Sequence, residues 1–339
     1  MEQNPWEDGS RKREHERSQD LENWLARLND QLFLGRELGS RPQELRYKPF
    51  FIVGCARSGS TLLYQALANT GQFAFPTNLI SRFHRDPYMG SLVHRVLVDM
   101  DRAGEIFPRS GTAQQYQNKL GKTMGADAPH EFNYLWRNYF KFGEVQSNAV
   151  SLPTTSQKAA LMCDLAAMEN VFQKPLLMKT MELNWHLPVL SGIFPEAVFI
   201  FIKRNLFKNA WSLLGARKEF FGTEENWYSY KPTEYPALRS LPPWEQTIAQ
   251  VWYTERAVEH GLASIPNVQR IEVEYETFCN APKDFVTLLS AKEPQVGPYK
   301  GPEHFKVSDK PIPTELLSRG EQLIENIKSG KFNATALGE

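Results

Sequence analysis

The amino-acid sequence predicts a three-layer α/β fold, with a central parallel sheet, helices on both of its faces and a helical insertion. Three observations predict it. Strand-sized apolar runs alternate with segments of helical period, the runs are apolar on both faces, and residues 77–160 break the alternation with a stretch rich in His, Arg, Asn and aromatics. Strands alternating with helices join by right-handed crossovers, and a parallel sheet built that way is covered on both sides.

The elements follow in order. Residues 1–48 read as a polar leader, in which Leu21, Trp24, Leu25 and Leu28 recur at helical spacing, so a short amphipathic helix is expected to pack on the domain. The α/β domain is expected over 49–310. Its first strand is the run 48–54, followed directly by the helical pattern 60–71. Buried strands are also expected at 175–180 and 197–204, each followed by a helix (184–194 and 206–221). A long helical pattern, 245–265, precedes a fourth strand at 268–276, which alternates and so reads as half-buried. The insertion 77–160 is expected to be mostly helical and to lie over the strand ends. A second irregular stretch, 221–245, is rich in Tyr, Trp and Pro, as befits a loop above a substrate site. A C-terminal helix and tail are expected over 311–339.

Composition narrows the function. Among 339 residues, 39 basic side chains balance 39 acidic ones, which argues against a general nucleic-acid or acidic-membrane binder. No apolar run approaches the roughly 18 residues of a membrane span. The opening residues are charged throughout, so no secretory signal is expected, a cytoplasmic setting follows, and the sequon Asn333-Ala334-Thr335 carries no weight. Cys55, Cys163 and Cys279 form no C-x-x-C pair, so they predict reduced thiols rather than a zinc site.

Chemistry concentrates at residues 50–63, a buried strand, a glycine-bounded loop and a helix. Such a loop turns backbone N–H groups inward beside the positive end of the helix dipole and makes a pocket for a phosphate-like anion. The spacing from Gly54 to Gly59 is that of a nucleotide-binding P-loop, yet Ser60 stands where a Walker loop carries lysine. The loop cation is Arg57, and the strand at 197–204 ends in Lys203 and Arg204 instead of a magnesium-binding aspartate. The expected ligand is an anion smaller than a nucleoside triphosphate with magnesium, and no metal is expected.

These residues resemble a known family. The loop around Arg57, Ser58, Gly59, Ser60 and Thr61 is similar to the 5′-phosphosulfate loop of sulfotransferases that use 3′-phosphoadenosine 5′-phosphosulfate, nearest the tyrosylprotein and bacterial branches. Arg204 and Ser212, a strand-end arginine and a serine eight residues on, resemble the family's 3′-phosphate segment. Lys179 resembles a functional lysine at a strand end, and the stretch from Arg270 to Pro282 resembles a late strand of the family. The series covers roughly residues 50–280. It implies a P-loop-like fold and sulfuryl transfer to a hydroxyl or amine of a carbohydrate, a glycan or a small-molecule alcohol. It also implies that Arg57 and Lys179 stabilise the leaving oxygen.

The sequence departs from the family in three places. Asn205-Leu206 replaces an Asp/Asn-Pro pair, the C-terminal Arg-Lys-Gly segment is missing, and Asn78 lies near the place where many relatives keep a carboxylate. The general base is therefore sought among His84, His130, Glu131 and Glu182. Glu131 comes first, with His130 second, because Pro129, Phe132, Tyr134 and Trp136 promise an apolar setting that would raise a glutamate's pKa. Plainer readings stay open: Ser60 and Thr61 as helix caps, Arg204 in a surface ion pair, the histidines as structural groups, Trp252 as core. A nucleotide-dependent kinase and a non-catalytic nucleotide-binding protein are the alternative functions.

Overall fold

The structure, a computed structural model, describes residues 11–332 apart from 13, 14, 17, 102, 108–117, 120, 121 and 148–151. The sequon at Asn333 lies outside the described residues.

Four parallel strands form the sheet: β1 (Phe50–Gly54), β4 (Leu177–Lys179), β5 (Val198–Lys203) and β6 (Arg270–Glu274), in the spatial order β4-β1-β5-β6. A two-residue ribbon, β2 (Asn118–Lys119) with β3 (Lys122–Thr123), lies within the insertion. β1 is buried along its whole length, and its side chains alternate between two cores. Phe51 and Val53, with Met178, Phe199 and Phe201, face the insertion helices α4 (Asn133–Tyr139) and α5 (Thr155–Phe172) and the helix α6 (Leu187–Ile193). Phe50 and Ile52, with Leu177, Val198, Ile200 and Ile202, face α2 (Ser60–Ala68), α10 (Tyr275–Asn280) and α11 (Pro282–Lys292). This is the three-layer arrangement expected of a doubly covered parallel sheet. β6, at the edge, alternates buried and exposed residues as its sequence predicts.

The second long pair of helices, α7 (Leu206–Phe221) and α9 (Pro243–Ala263), builds a third core with Trp227, Trp244 and the C-terminal helix α12 (Thr314–Lys328). Trp252 packs at the edge of that core beneath Arg256, as expected of a packing residue. Gly320 lets α12 lie close to α9: a Cβ there would stand 2.6 Å from Ile248 Cδ1.

The described part of the insertion sets short helices between turns and the β2–β3 ribbon, and is less helical than its sequence predicts. It runs through a 3₁₀ turn (Ile80–Phe83), α3 (Pro87–His94), a π-helical turn (Arg95–Asp99), α4 and α5, which opens with a capping box from Thr154 and Gln157. The leader behaves differently from its pattern. α1 (Gln19–Leu34) buries Leu25 and Asn29, while Leu21, Trp24 and Leu28 stay exposed. The reason is a hydrogen-bonding anchor. Asn29 donates to Arg82 O at 2.8 Å and accepts from the Arg85 N–H at 3.0 Å, which turns the helix about its axis and leaves the apolar stripe on its flank.

Candidate active site

Four strand ends meet at one edge of the sheet. β1 delivers Gly54, whose φ of +138° and close approach to Ile202 O exclude a side chain: a Cβ would stand 2.5 Å from that oxygen. Asn184 braces the same residue twice, accepting from Gly54 N–H at 3.2 Å and donating to Gly54 O at 2.7 Å. Beyond it the chain turns at Arg57, which has the left-handed φ of +68°, and at Gly59. A Cβ on Gly59 would lie 2.1 Å from the ring of Tyr275, the first residue past β6. Asn209 on α7 holds the loop from the far side through Ala56 O at 3.1 Å.

The loop runs straight into α2. Gly59 caps the helix without a side-chain hydrogen bond, so the N–H groups of its first turn face out of the helix. They open onto a cavity of about 930 Å³, lined also by Arg57, Thr61, Glu131, Lys179, Arg204 and Ser212. The expected site residues therefore meet around one helix N-terminus, with one exception. Ser58 is fully buried and its hydroxyl has no hydrogen-bond partner among the described residues. The left-handed turn at Arg57 carries Ser58 beneath the loop, where its N–H closes a turn onto Cys55 O. Cys55 itself is buried, and burial pushes its thiol far above the usual range, as for a packing residue.

Two sets of side chains stand on either side of the loop. Lys179 lies opposite Ile52 in the β4–β1 register, on the α2 side of the sheet. Its ammonium donates to Thr61 Oγ1 at 3.0 Å and to Glu131 Oε1 at 2.6 Å. Glu131 is one-third exposed, whereas the Lys179 side chain is nearly buried. Glu131 is thus not in the apolar setting its neighbours promise. Phe132 and Trp136 turn fully into the core, because Phe132 takes a left-handed φ of +58° and starts α4 with its side chain inward. The backbone of His130 is held by Pro76 O at 2.8 Å, and its Nδ1 accepts the Phe132 N–H at 2.9 Å.

The other set comprises Arg57, Arg204 and Ser212. Arg57 Nε reaches Ser212 Oγ at 3.4 Å, and Arg204 donates to Arg57 O at 3.3 Å and to Ser308 O. The Arg204 guanidinium stacks on Tyr275 at 4.8 Å, with Glu276 at 3.9 Å, beyond hydrogen-bond reach. No carboxylate lies within 4.0 Å of Arg57 among the described residues.

The other base candidates fall away. His84 is buried and stacked on Tyr134, and burial beside Arg85 lowers it to about 4. Glu182 is fully buried against Arg137 Nε at 2.9 Å. Asn78, near the family's carboxylate position, is a strut whose amide donates to Thr123 O and Gly125 O, both at 2.8 Å. His186 is a core residue stacked on Phe140, and its burial lowers it to about 4. Asn184, Asn209, Tyr275 and Ser308 are site residues that the sequence reading misses. Only Tyr275, at the end of a strand pattern, carries a local signal.

The irregular stretch 221–245 supplies part of the wall. Tyr228 and Tyr230 line the cavity, while Trp227 is core, under the buried guanidinium of Arg217 at 4.7 Å. Arg217 is held by Gln246 at 2.6 Å and Gln250 at 3.3 Å, which fixes the base of the loop.

The chain matches the family model described as "Sulfotransferase family" over residues 49–291. Among solved structures it is similar to sulfotransferase STF9 from Mycobacterium avium, at 14% identity and a TM-score of 0.51, covering 91% of this chain and 75% of that one. It is also similar to sulfotransferase STF1 from Mycobacterium tuberculosis H37Rv (13%, TM-score 0.47, 92% and 80%). A third match is a sulfotransferase from Alicyclobacillus acidocaldarius (14%, TM-score 0.42, 87% and 100%). At such identities the first likeness bears on the fold. No curated protein matches the sequence. No described helix is long and apolar enough to cross a membrane.

Proposed function

The chain belongs to the sulfotransferase family, and from that premise we propose that it moves a sulfuryl group from 3′-phosphoadenosine 5′-phosphosulfate to a hydroxyl or amine of a carbohydrate or a small-molecule alcohol. The observation that carries this reading is the open N-terminus of α2 between two sets of cations in one cavity. A donor with a phosphosulfate at one end and a 3′-phosphate at the other needs two separate anion sites. The loop with Lys179 suits the first, and Arg204 with Ser212 suits the second. Family membership displaces the kinase alternative, and nothing in this chemistry calls for a metal. Three buried free thiols fit a reducing cytoplasm.

The reaction breaks the bond between sulfur and the oxygen bridging to the 5′-phosphate and forms a bond from sulfur to the acceptor oxygen or nitrogen. The electron pair of the broken bond stays on the phosphate. Lys179 and the first-turn N–H groups of α2 stabilise that growing charge, in a site where they need not reorient. Arg57 supports the loop side of the same phosphate. Glu131 takes the acceptor's proton. Its contact with Lys179 holds the base beside the leaving-group cation, and His130 is second in line for the same task. Tyr228 and Tyr230 line the cavity in which a sugar or a planar alcohol can lie.

Calorimetry tests the donor. Loss of charge-assisted bonds to the 3′-phosphate is worth about 1.5–3 kcal/mol, so 3′-phosphoadenosine 5′-phosphate is expected to bind one to two decades more tightly than AMP. Equal affinity overturns the assignment. Transfer of labelled sulfate to an acceptor, surviving EDTA, separates an enzyme from a non-catalytic nucleotide-binding protein.

A further inference from the structure

We propose that the exposed apolar flank of α1 seats the tail of the acceptor, so that the preferred acceptor is a soluble amphiphilic alcohol, with its hydroxyl at Glu131 and an alkyl chain along the helix. This inference rests on the sulfuryl-transfer reading and narrows its substrate class. Leu21, Trp24 and Leu28 lie on one stripe at spacings of three, four and seven residues, and they are 42%, 64% and 39% exposed. At 100° per residue the centre of the stripe stands about a quarter-turn from the buried side of the helix, which Leu25 and Asn29 mark.

The stripe leads into the cavity that holds Lys179 and Glu131. Leu21 is at once part of the stripe and part of the cavity wall, next to Leu25, and the wall also takes in Leu79, Phe107 and Met124. Met124 is 66% exposed. Leu21 is therefore the residue at which the outer flank of α1 meets the cavity wall. The helix is held rigidly enough to act as a wall. Asn29 ties it to the 3₁₀ turn of the insertion, and Tyr134 on α4 donates to both carboxylate oxygens of Glu22, at 3.0 and 3.2 Å. Ahead of the helix the chain reaches the end of α7, where the Lys12 N–H donates to Phe220 O at 2.9 Å and His15 packs on Phe220 at 4.7 Å.

The size of the stripe selects its occupant. Three such side chains expose on the order of 300 Å² together, well short of the roughly 800 Å² per partner of a stable protein interface. From Leu21 to Leu28 the helix advances about 10 Å, the reach of an extended chain of about eight carbons.

Calorimetric titration with 1-butanol, 1-hexanol, 1-octanol and 1-decanol tests the proposal without depending on turnover. A chain lying on an open stripe is half-covered, so affinity is expected to rise about twofold per methylene, or about sixteenfold from hexanol to decanol. Replacing Leu21, Trp24 and Leu28 together by Ser should abolish that rise and leave binding of 3′-phosphoadenosine 5′-phosphate unchanged. Replacing Phe33 and Leu34, exposed on the same helix but off the stripe, should leave the rise intact. Affinity independent of chain length, or a rise that survives the triple variant, overturns the proposal. So does sedimentation showing that the triple variant loses self-association or binding to phosphatidylcholine vesicles while the chain-length rise is missing. If the rise is present but the nucleotide does not bind, the amphiphile surface stands and the donor assignment falls.

Discussion

On one side of the loop, the cation Lys179 ends on a carboxylate at 2.6 Å; on the other, Arg57 and Arg204 end on a hydroxyl and on carbonyl oxygens. The charges are of one kind, but their partners differ. A carboxylate cancels the charge it meets, whereas a carbonyl orients a guanidinium and leaves its charge in place. With two guanidiniums against the single carboxylate of Glu276, 3.9 Å from Arg204, the arginine side keeps a net positive charge and suits binding of an anion. The lysine side is an acid–base pair already in place, and it suits chemistry. The planar Arg204 guanidinium, stacked on Tyr275, is also more rigid than the flexible Lys179 ammonium.

If this division holds, the largest effect comes from Glu131→Gln, which keeps the hydrogen bond to Lys179 but removes the base. Turnover should fall by about two to four decades with nucleotide affinity retained. Normal turnover would remove Glu131 from the lysine side's chemistry. Lys179→Ala should lower kcat by about two to three decades, again with little change in nucleotide binding, because the charge it meets develops in the transition state. A large loss of affinity instead would erase the distinction between the two sides. Arg204→Ala should do the reverse. Calorimetry is expected to show the one- to two-decade preference for the 3′-phosphorylated nucleotide disappearing while AMP binding persists.

Two smaller effects sharpen the comparison by probing what holds both sides. Asn184→Ala leaves both polar groups of Gly54 without their side-chain partner, and denaturant unfolding should register a loss of about 1–3 kcal/mol. Glu255, beneath the loop, belongs to neither set, and burial raises it from 4.5 to about 7. A carboxyl raised on folding favours the native state only while it is protonated. Its contribution is complete below pH 4.5 and is lost as pH rises through about 7. Thermal unfolding of Glu255→Gln across that window should lack the corresponding decline.

Much of the site was legible because its residues sit where regular patterns end. Lys179 and Arg204 each close a buried run, and Arg57 through Thr61 fill the turn between a strand and a helix, so position alone brings them to one edge. Glu131 carried no such mark. It lies in the insertion, and it meets Lys179 across 48 residues of chain. Its local apolar neighbours pointed to the wrong environment, because a left-handed Phe132 sends them inward. Ser58 misled for a related reason: a loop sequence says which residues are present but not which of them a left-handed turn tucks beneath.

The sequence by itself determined the parallel sheet, the glycine-bounded turn between the first strand and its helix, and the eight-residue spacing of Arg204 and Ser212. Each is specified by periodicity and short-range spacing, which the backbone translates directly into direction. The strand order, the Lys179–Glu131 pair, the double brace of Asn184 and the stacking of Tyr275 under Arg204 were decided only by the tertiary structure. They join residues distant in the chain, and no local pattern encodes a contact whose geometry depends on how whole elements pack. The same holds for α1. Its apolar stripe was plain in the sequence, but which way it faces was set by one buried asparagine that docks it to a turn 53 residues away.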